Sequence, residues 1–296
     1  MEYYSLNRYL QDTFGAKVYK IALDGGFTCP NRDGTLDTRG CIFCSGAGSG
    51  EFAGKRTDSI TNQIEKGKER LQNKIKDGRY IAYFQAFTNT YAPVKRLREL
   101  YEEAVSHPDI AVLSIATRPD CLSEDVISLI EEMNRIKPVW VELGLQTIHE
   151  KSAEYIRRGY PLSVYDEAVK KLKDISVQVI THVILGLPGE SPQEMMETVS
   201  YVGNSGADGI KLQLLHVIKG TDLEKDYERG KFRVLEMEEY VHLVADCLAL
   251  LPENMVIHRM TGDGDKRTLV APLWSMDKKR VLNALNKAIA KKERCR

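Results

Sequence analysis

Along most of the chain, short apolar runs alternate with segments whose apolar residues recur every three or four positions. The runs KVYKIALDG (17–25), YIAYFQAF (80–87), IAVLSIAT (110–117), PVWVELGLQ (138–146), VQVITHVILGLP (177–188) and GIKLQLLHVI (209–218) read as strands. Helices are expected between them. Ile60, Ile64, Leu71 and Ile75 share one face, closed by Asp77-Gly78; 93–106 and 123–136 follow, the latter opened by a Ser123 cap. Further helices lie near 149–157, 164–175 and 191–204. Met237, Tyr240, Val241, Val244, Leu248 and Leu251 then stripe another helix, 254–262 reads as a final strand, and 277–293 as a terminal helix.

The pattern amounts to six β/α units. Nearly continuous apolar runs suit strands buried on both faces, hence a parallel sheet covered by helices. Six strands are too few for the eight-stranded closed barrel. The expected fold is therefore α/β, a partial (β/α)6 TIM-like barrel with a C-terminal helical/strand extension. With no repeat, low-complexity segment or Pro/Ser-rich linker, the expected division is an N-terminal extension (1–16), a core (17–235) and an extension packed on the barrel (236–296). Chemistry belongs at the carboxyl ends of the strands, where the loops converge.

Composition narrows the classes. Hydrophobic residues at 43% and charged residues at 28% suit a globular protein with a sizeable core. No apolar stretch is long enough to span a bilayer, so no membrane partner is expected. MEYYSLNRYLQDTF lacks an apolar core behind a basic start, which predicts no secretory signal and a cytoplasmic location. The 42 basic and 42 acidic residues cancel, so no global charge draws the chain to nucleic acid. The tail is an exception. Lys278, Lys279, Arg280, Lys287, Lys291, Lys292, Arg294 and Arg296 face only Asp277 and Glu293, which suits either phosphate contact or a solvated helix face.

GGFTCPNRDGTLDTRGCIFCSGAGSGEFAG follows the first strand and carries Cys29, Cys41 and Cys44, with eleven residues in the first gap and two in the second. Reduced cytoplasmic thiols clustered this way bind metal or do redox chemistry more often than they form disulfides. Structural zinc takes four protein ligands. The six histidines (107, 149, 182, 216, 242 and 258) are all remote in sequence, although a distant one could serve. Three thiolates on an iron–sulfur cluster leave one iron open to a further ligand, the favoured reading. Cys121, Cys247 and Cys295 have no spacing that makes a second cluster.

The three cysteines, with Phe43 before the last, resemble the cluster loop of the radical S-adenosylmethionine (radical SAM) superfamily, whose commonest form has a shorter first gap. The long gap resembles the branch that includes the catalytic subunit of Elongator. YFQAFTNTYA (83–92), SIATRPDCL (114–122), VELGLQT (141–147), IRRGY (156–160) and ILGLPGE (184–190) agree, and 258–285 resembles a narrower bacterial group, MnmL (YtqA/YhcC-like). The resemblance implies a [4Fe-4S] cluster on Cys29, Cys41 and Cys44 and S-adenosyl-L-methionine on its open iron. One electron then yields a 5′-deoxyadenosyl radical that removes a hydrogen atom from substrate. It also implies cofactor contacts from Gln85, Ser114, Arg118, Glu142, Gln146, Arg158, Gly186 and Leu187. Phe84 and Ala86 stand where the superfamily has a Gly-Gly-Glu-like stretch, which this chain lacks.

Alternatives stay open at several of these positions. Glu142 could instead pair with a nearby arginine, and Arg157 competes with Arg158 for a carboxylate. His182, Gln213 and His216, placed on the fifth and sixth strands, are candidate catalytic residues, with hydrogen-bonded core histidines as the other reading. His258, Arg259, Thr261, Asp263 and Lys266 either recognise substrate or close the barrel bottom. The resemblance implies a tRNA-modifying enzyme acting on the 5-position side chain of wobble uridine, with an electron donor such as flavodoxin or ferredoxin. The other readings are radical SAM chemistry on a small metabolite or protein, and a non-catalytic metal-binding regulator.

Overall fold

The computed structural model describes residues 3–72, 78–262 and 264–294. Ile75, Asp77, Asp263, Cys295 and Arg296 lie outside the described residues. In chain order the elements are α1 (Leu6–Phe14), β1 (Val18–Leu23), α2 (Ile60–Leu71), β2 (Arg79–Phe84), α3 (Val94–Ser106), β3 (Ile110–Thr117), α4 (Glu124–Ile136) and β4 (Val139–Gln146). There follow α5 (Glu150–Tyr155), α6 (Leu162–Asp174), β5 (Gln178–Leu185), α7 (Pro192–Asn204), β6 (Gly209–Leu214) and β7 (Val217–Ile218). The chain closes with α8 (Asp222–Glu228), α9 (Met237–Leu248), β8 (Val256–Arg259), β9 (Leu269–Ala271) and α10 (Lys278–Arg294).

The main sheet is parallel, in the order β1-β2-β3-β4-β5-β6-β8. It is a curled half-barrel with helices outside. The strand expected at 254–262 is present as β8 and pairs with β6, so the C-terminal segment supplies a seventh strand. The run 209–218 is broken: β6 ends at Leu214, and β7 leaves to pair antiparallel with β9. His216 therefore sits in the link between two strands rather than on the sixth strand. Ser123 is at the N-cap of α4, yet its side chain makes no capping hydrogen bond.

Alternation along each strand sorts the core. One parity (Ile21, Leu23, Leu113, Ile115, Val141 and Leu143 among others) packs outward against the helices. The other parity faces the barrel interior, where Val18, Ile81, Val112, Trp140 and Ile180 meet Leu10 of α1. All five lie in the first half of their strands, so α1 covers the amino end of the barrel. Tyr9 seals the join, its ring 5.9 Å from that of Trp140 and its hydroxyl 3.1 Å from Oε1 of Gln178.

Candidate active site

The carboxyl end is open, and the cysteine loop lies over it. Carbonyls and short turns shape that loop: Arg32 and Asp33 donate backbone N–H to the Cys29 carbonyl (2.8 and 3.2 Å), and Cys44 donates to Cys41 (3.0 Å). Arg32 Nη2 ties the end of the loop through the carbonyls of Cys44 and Ser45 (2.9 and 2.6 Å). Asn31 Nδ2 donates to the Arg157 carbonyl (2.7 Å) and reaches Cys41 Sγ (3.4 Å). On the far side, Gln85 Nε2 donates to the Ser49 carbonyl (2.6 Å) and Phe87 N–H to Gly48 (2.9 Å). A Cβ on Gly48 (φ +59°) would lie 2.4 Å from the Phe87 ring, so only glycine lets the loop press this close.

Cys29, Cys41 and Cys44 line one cavity of about 980 Å³. Burial pushes the Cys41 thiol up to about 12 and raises that of Cys44, the Arg32 guanidinium pulling the second back. Such thiols stay protonated unless a cation takes the place of the proton, as metal ligation does. Among the described residues, the one trio of metal-ligating side chains with atoms all within 4.8 Å is Glu65, His107 and Asp109. Three thiolates on one cavity wall suit an iron–sulfur cluster, whose irons are held by cysteine sulfurs. The surface trio is itself spanned by a cation, Lys68, 2.9 Å from Glu65 and 2.5 Å from Asp109.

Below the loop, the inward positions at mid-strand are polar. Glu142 of β4 is fully buried and accepts from four side chains. Lys20 (2.7 Å) and Ser114 (2.8 Å) reach Oε1, while Lys211 and His182 (2.8 Å) reach Oε2. Burial works to raise its carboxyl, but the two ammoniums and the imidazole hold it well below the usual range. Its partners are thus lysines, not an arginine. His182 Nε2 donates to Glu142, so Nδ1 accepts from Gln213 Nε2 at 3.2 Å. Burial, then the Lys211 charge, lower the His182 pKa to about 4, which keeps the ring neutral near pH 7. Lys20 and Lys211 also stand over the Tyr83 ring, 4.5 and 4.7 Å from its centroid.

The two arginines of IRRGY do different jobs. Arg157 (φ +58°) donates to the Gly40 carbonyl (3.2 Å) and pairs with Asp222 (2.7 Å), strapping the cysteine loop to α8. Arg158 lines the cavity, but its fork serves the carbonyls of Thr147 (2.6 Å) and Tyr160 (2.9 Å) and the carboxylate of Glu150 (3.2 Å). Arg118 grips Asp120 through two hydrogen bonds (2.9 and 2.8 Å). Arg118 and Arg158 each stand 5.0 Å from the Tyr160 ring, whose hydroxyl donates to the Gly144 carbonyl. Gln146 ends β4 past a register shift with φ +71°, and its buried Oε1 has no hydrogen-bond partner. A non-glycine residue held there is strained, and an orphaned acceptor on a cavity wall suits a bound donor.

The cavity also gathers Gln85, Thr117, Gln213, His216, Arg259 and Lys266. Three expected contacts are not on its wall. Ser114 is behind it, committed to Glu142. Gly186 and Leu187 are packed away, the first donating its N–H toward Met195 Sδ (3.1 Å), the second in an apolar cluster with Ile42 and Ile156. His258 is at the barrel's amino end, edge-on to Trp140 at 5.2 Å. Cys247 is on the buried face of α9, as its apolar neighbours imply. Lys20, Tyr83, Lys211 and Tyr160 escaped the sequence reading. The signal for the two lysines was present: each is a lone charge inside an apolar strand, the argument that singled out Glu142.

A half-barrel whose cysteine loop overhangs its carboxyl end defines a class, and comparison agrees. Residues 38–202 match the family described as the Radical SAM superfamily, and 207–291 its C-terminal domain. The chain belongs to the radical SAM superfamily, and its cofactors are a [4Fe-4S] cluster and SAM. Within it the chain is a homologue of YtqA, an uncharacterised protein of Bacillus subtilis (strain 168), with 50% identity over 97% of this chain and 89% of that one. The tRNA uridine(34) acetyltransferase of Methanocaldococcus jannaschii is 29% identical over 54% of this chain and 30% of that protein. The fold matches archaeal Elp3 of Methanocaldococcus infernus at a TM-score of 0.67 and 18% identity. That match covers 91% of this chain but only 63% of the Elp3 structure.

Proposed function

We propose that Cys29, Cys41 and Cys44 hold the cluster, and that the enzyme converts a carboxymethylaminomethyl group on the 5-position of tRNA wobble uridine to aminomethyl. The observation that carries the substrate is the similarity to a tRNA uridine(34) enzyme across half of this chain. The mouth of the cavity supports it. Lys266 and Lys278 are on its rim, and exposed Lys279 and Arg280 continue the basic run along α10.

When bound, the cluster and SAM supply a carbon radical that takes a hydrogen atom from the substrate carbon beside nitrogen. A reduced flavodoxin or ferredoxin would supply the electron that SAM cleavage consumes; loss of one further electron to the oxidised carrier, and of the N–H proton to solvent, leaves a C=N bond. Water cleaves that bond into the amine and a two-carbon oxoacid. The protein's part is positional. Arg32, Asn31 and Arg157 fix the loop that presents the three thiols. Arg118, Arg158 and Tyr160 stiffen the wall beside it, and Gln146 offers its unpaired oxygen to a donor on the bound cofactor. Neutral His182, locked between Glu142 and Gln213, supplies an oriented polar edge without added charge.

Anaerobically reconstituted protein is expected to be brown and to cleave SAM under reduction, whereas Cys41→Ala does neither. Mass spectrometry of tRNA nucleosides from cells lacking the gene should show the wobble carboxymethylaminomethyl form accumulating. An unchanged profile overturns the tRNA substrate.

A further inference from the structure

The last helix differs from the others in how its charge is met. Elsewhere on the surface, basic residues of the helices meet acids: Lys66 pairs with Asp58 (2.8 Å), Arg98 with Glu132 (2.5 Å), Arg135 with Glu131 (2.6 Å) and Lys171 with Glu124 (2.6 Å). In α10 no acid stands between Lys278 and Lys292 in sequence. Among the described residues, Arg280, Lys287 and Lys291 are exposed, and none of the three pairs with an acid. Asp277 is turned to the start of the helix, where its Oδ1 accepts the Arg280 backbone N–H (3.0 Å). The three cations stand at 280, 287 and 291, within about 40° of one another around the helix. Along the axis they span about 16 Å, the rise of roughly five nucleotides in a helical strand. Another face of α10 carries Val281 and Leu285, both buried in the main core. The helix begins at the cavity rim, where Lys278 is, and runs down the flank beside α9, so that Lys292 meets Asp246 in the last turn of that helix.

We infer that Arg280, Lys287 and Lys291 form a phosphate rail: a helical stem of the RNA lies along the flank of the barrel on α10, while a nucleotide of its loop enters the cavity. This deepens the tRNA reading given under Proposed function and rests on it. The arrangement disfavours other anionic partners. A helix that lies in a membrane surface needs its apolar face free, and that of α10 is committed to the core. An acidic electron carrier has to approach the cysteine loop, whereas the rail leads away from the mouth that the loop overhangs. A nucleic-acid backbone supplies what remains, a line of fixed negative charges that several cations meet at once.

The test uses anaerobic holoenzyme and three probes: an anticodon stem-loop carrying 5-carboxymethylaminomethyluridine, the same loop as a single strand without its stem, and vesicles of phosphatidylserine. The double variant Lys287→Gln, Lys291→Gln removes two rail charges. Its control, Lys95→Gln, Lys170→Gln, removes two exposed charges on other helices. Glutamine is a good helix former, so both variants keep their helices. The affinity of wild type for the stem-loop should fall steeply with salt. The rail variant should lower the slope of log affinity against log salt by about 1.5 to 2 and weaken binding about tenfold or more near 0.1 M salt, and the control should do neither. The loop without its stem should bind wild type and rail variant alike. An unchanged slope in the rail variant overturns the inference, as does an equal loss in the control or an equal loss on the stemless loop. Binding of vesicles that depends on Lys287 and Lys291, with no such dependence for RNA, also overturns it. Rail-dependent binding of the stem-loop without conversion of its modified uridine upholds the rail and removes the wobble-uridine reading. Binding and conversion by the rail variant at the wild-type level do the reverse.

Discussion

The two ends of the barrel interior are built from the same strands and obey opposite rules. At the amino end, Val18, Ile81, Val112, Trp140 and Ile180 pack on Leu10 as any apolar core would. Two residues further along each of these strands, Lys20, Tyr83, Ser114, Glu142 and His182 replace them. The outer face carries no such charged layer and is largely apolar along the strands, Thr181 being tied to Tyr165 of α6 (2.8 Å). Stability therefore comes from the outer face and the amino end. The middle of the interior is given over to charge, which is weak evidence for stability in any buried ion pair and is more readily explained by what the cavity must hold.

The sharpest way to break this comparison is Glu142→Leu, which strands two ammoniums among apolar neighbours. Chemical denaturation should show a loss of about 3–5 kcal/mol. Acid is the next largest lever. The folded His182 pKa is depressed from its ordinary 6.5 to about 4 by burial. Between those values the unfolded chain takes up a proton that the folded one refuses, so stability is fully present above pH 6.5 and is lost as pH falls toward 4. The loss should approach about 3 kcal/mol. Glu142 adds to it with the same sign, since a carboxyl depressed by folding loses its contribution as pH falls. His182→Gln should flatten the slope in a pH series of unfolding curves. Tyr9→Phe, which removes the amino end's hydrogen bond to Gln178, should cost only about 1 kcal/mol. Smallest of all, the triple variant Lys20→Met, Glu142→Leu, Lys211→Met makes the middle layer resemble the amino end. Its stability should match wild type within about 1 kcal/mol, or exceed it.

Most of the fold was legible because strand burial on both faces writes itself into continuous apolar runs. The exceptions have physical causes. The run 209–218 reads as one strand because apolarity is unbroken, but β7 leaves the sheet to pair with β9, and pairing is not encoded in hydropathy. The cysteine loop was legible from residue type and spacing. The network around Glu142 was half legible. A carboxylate in an apolar strand demanded a partner, yet the identity of Lys20 and Lys211 depends on strand order and stagger, which bring together residues 122 and 69 positions away. Gly186 and Leu187 were placed near the cofactor by the resemblance, and their own contacts are with Met195 and the apolar cluster.

The helix α1 has a consequence for traffic. It stops the amino end of the barrel, and no α1 residue contributes to the cavity wall. With that end covered, the described residues leave the carboxyl end as the way in. Whatever sits deepest must go in first and come out last, and a macromolecule bent over the opening would confine everything beneath it until it left. Sequence of binding is thereby a property of the architecture itself, measurable as an ordered rather than random kinetic pattern.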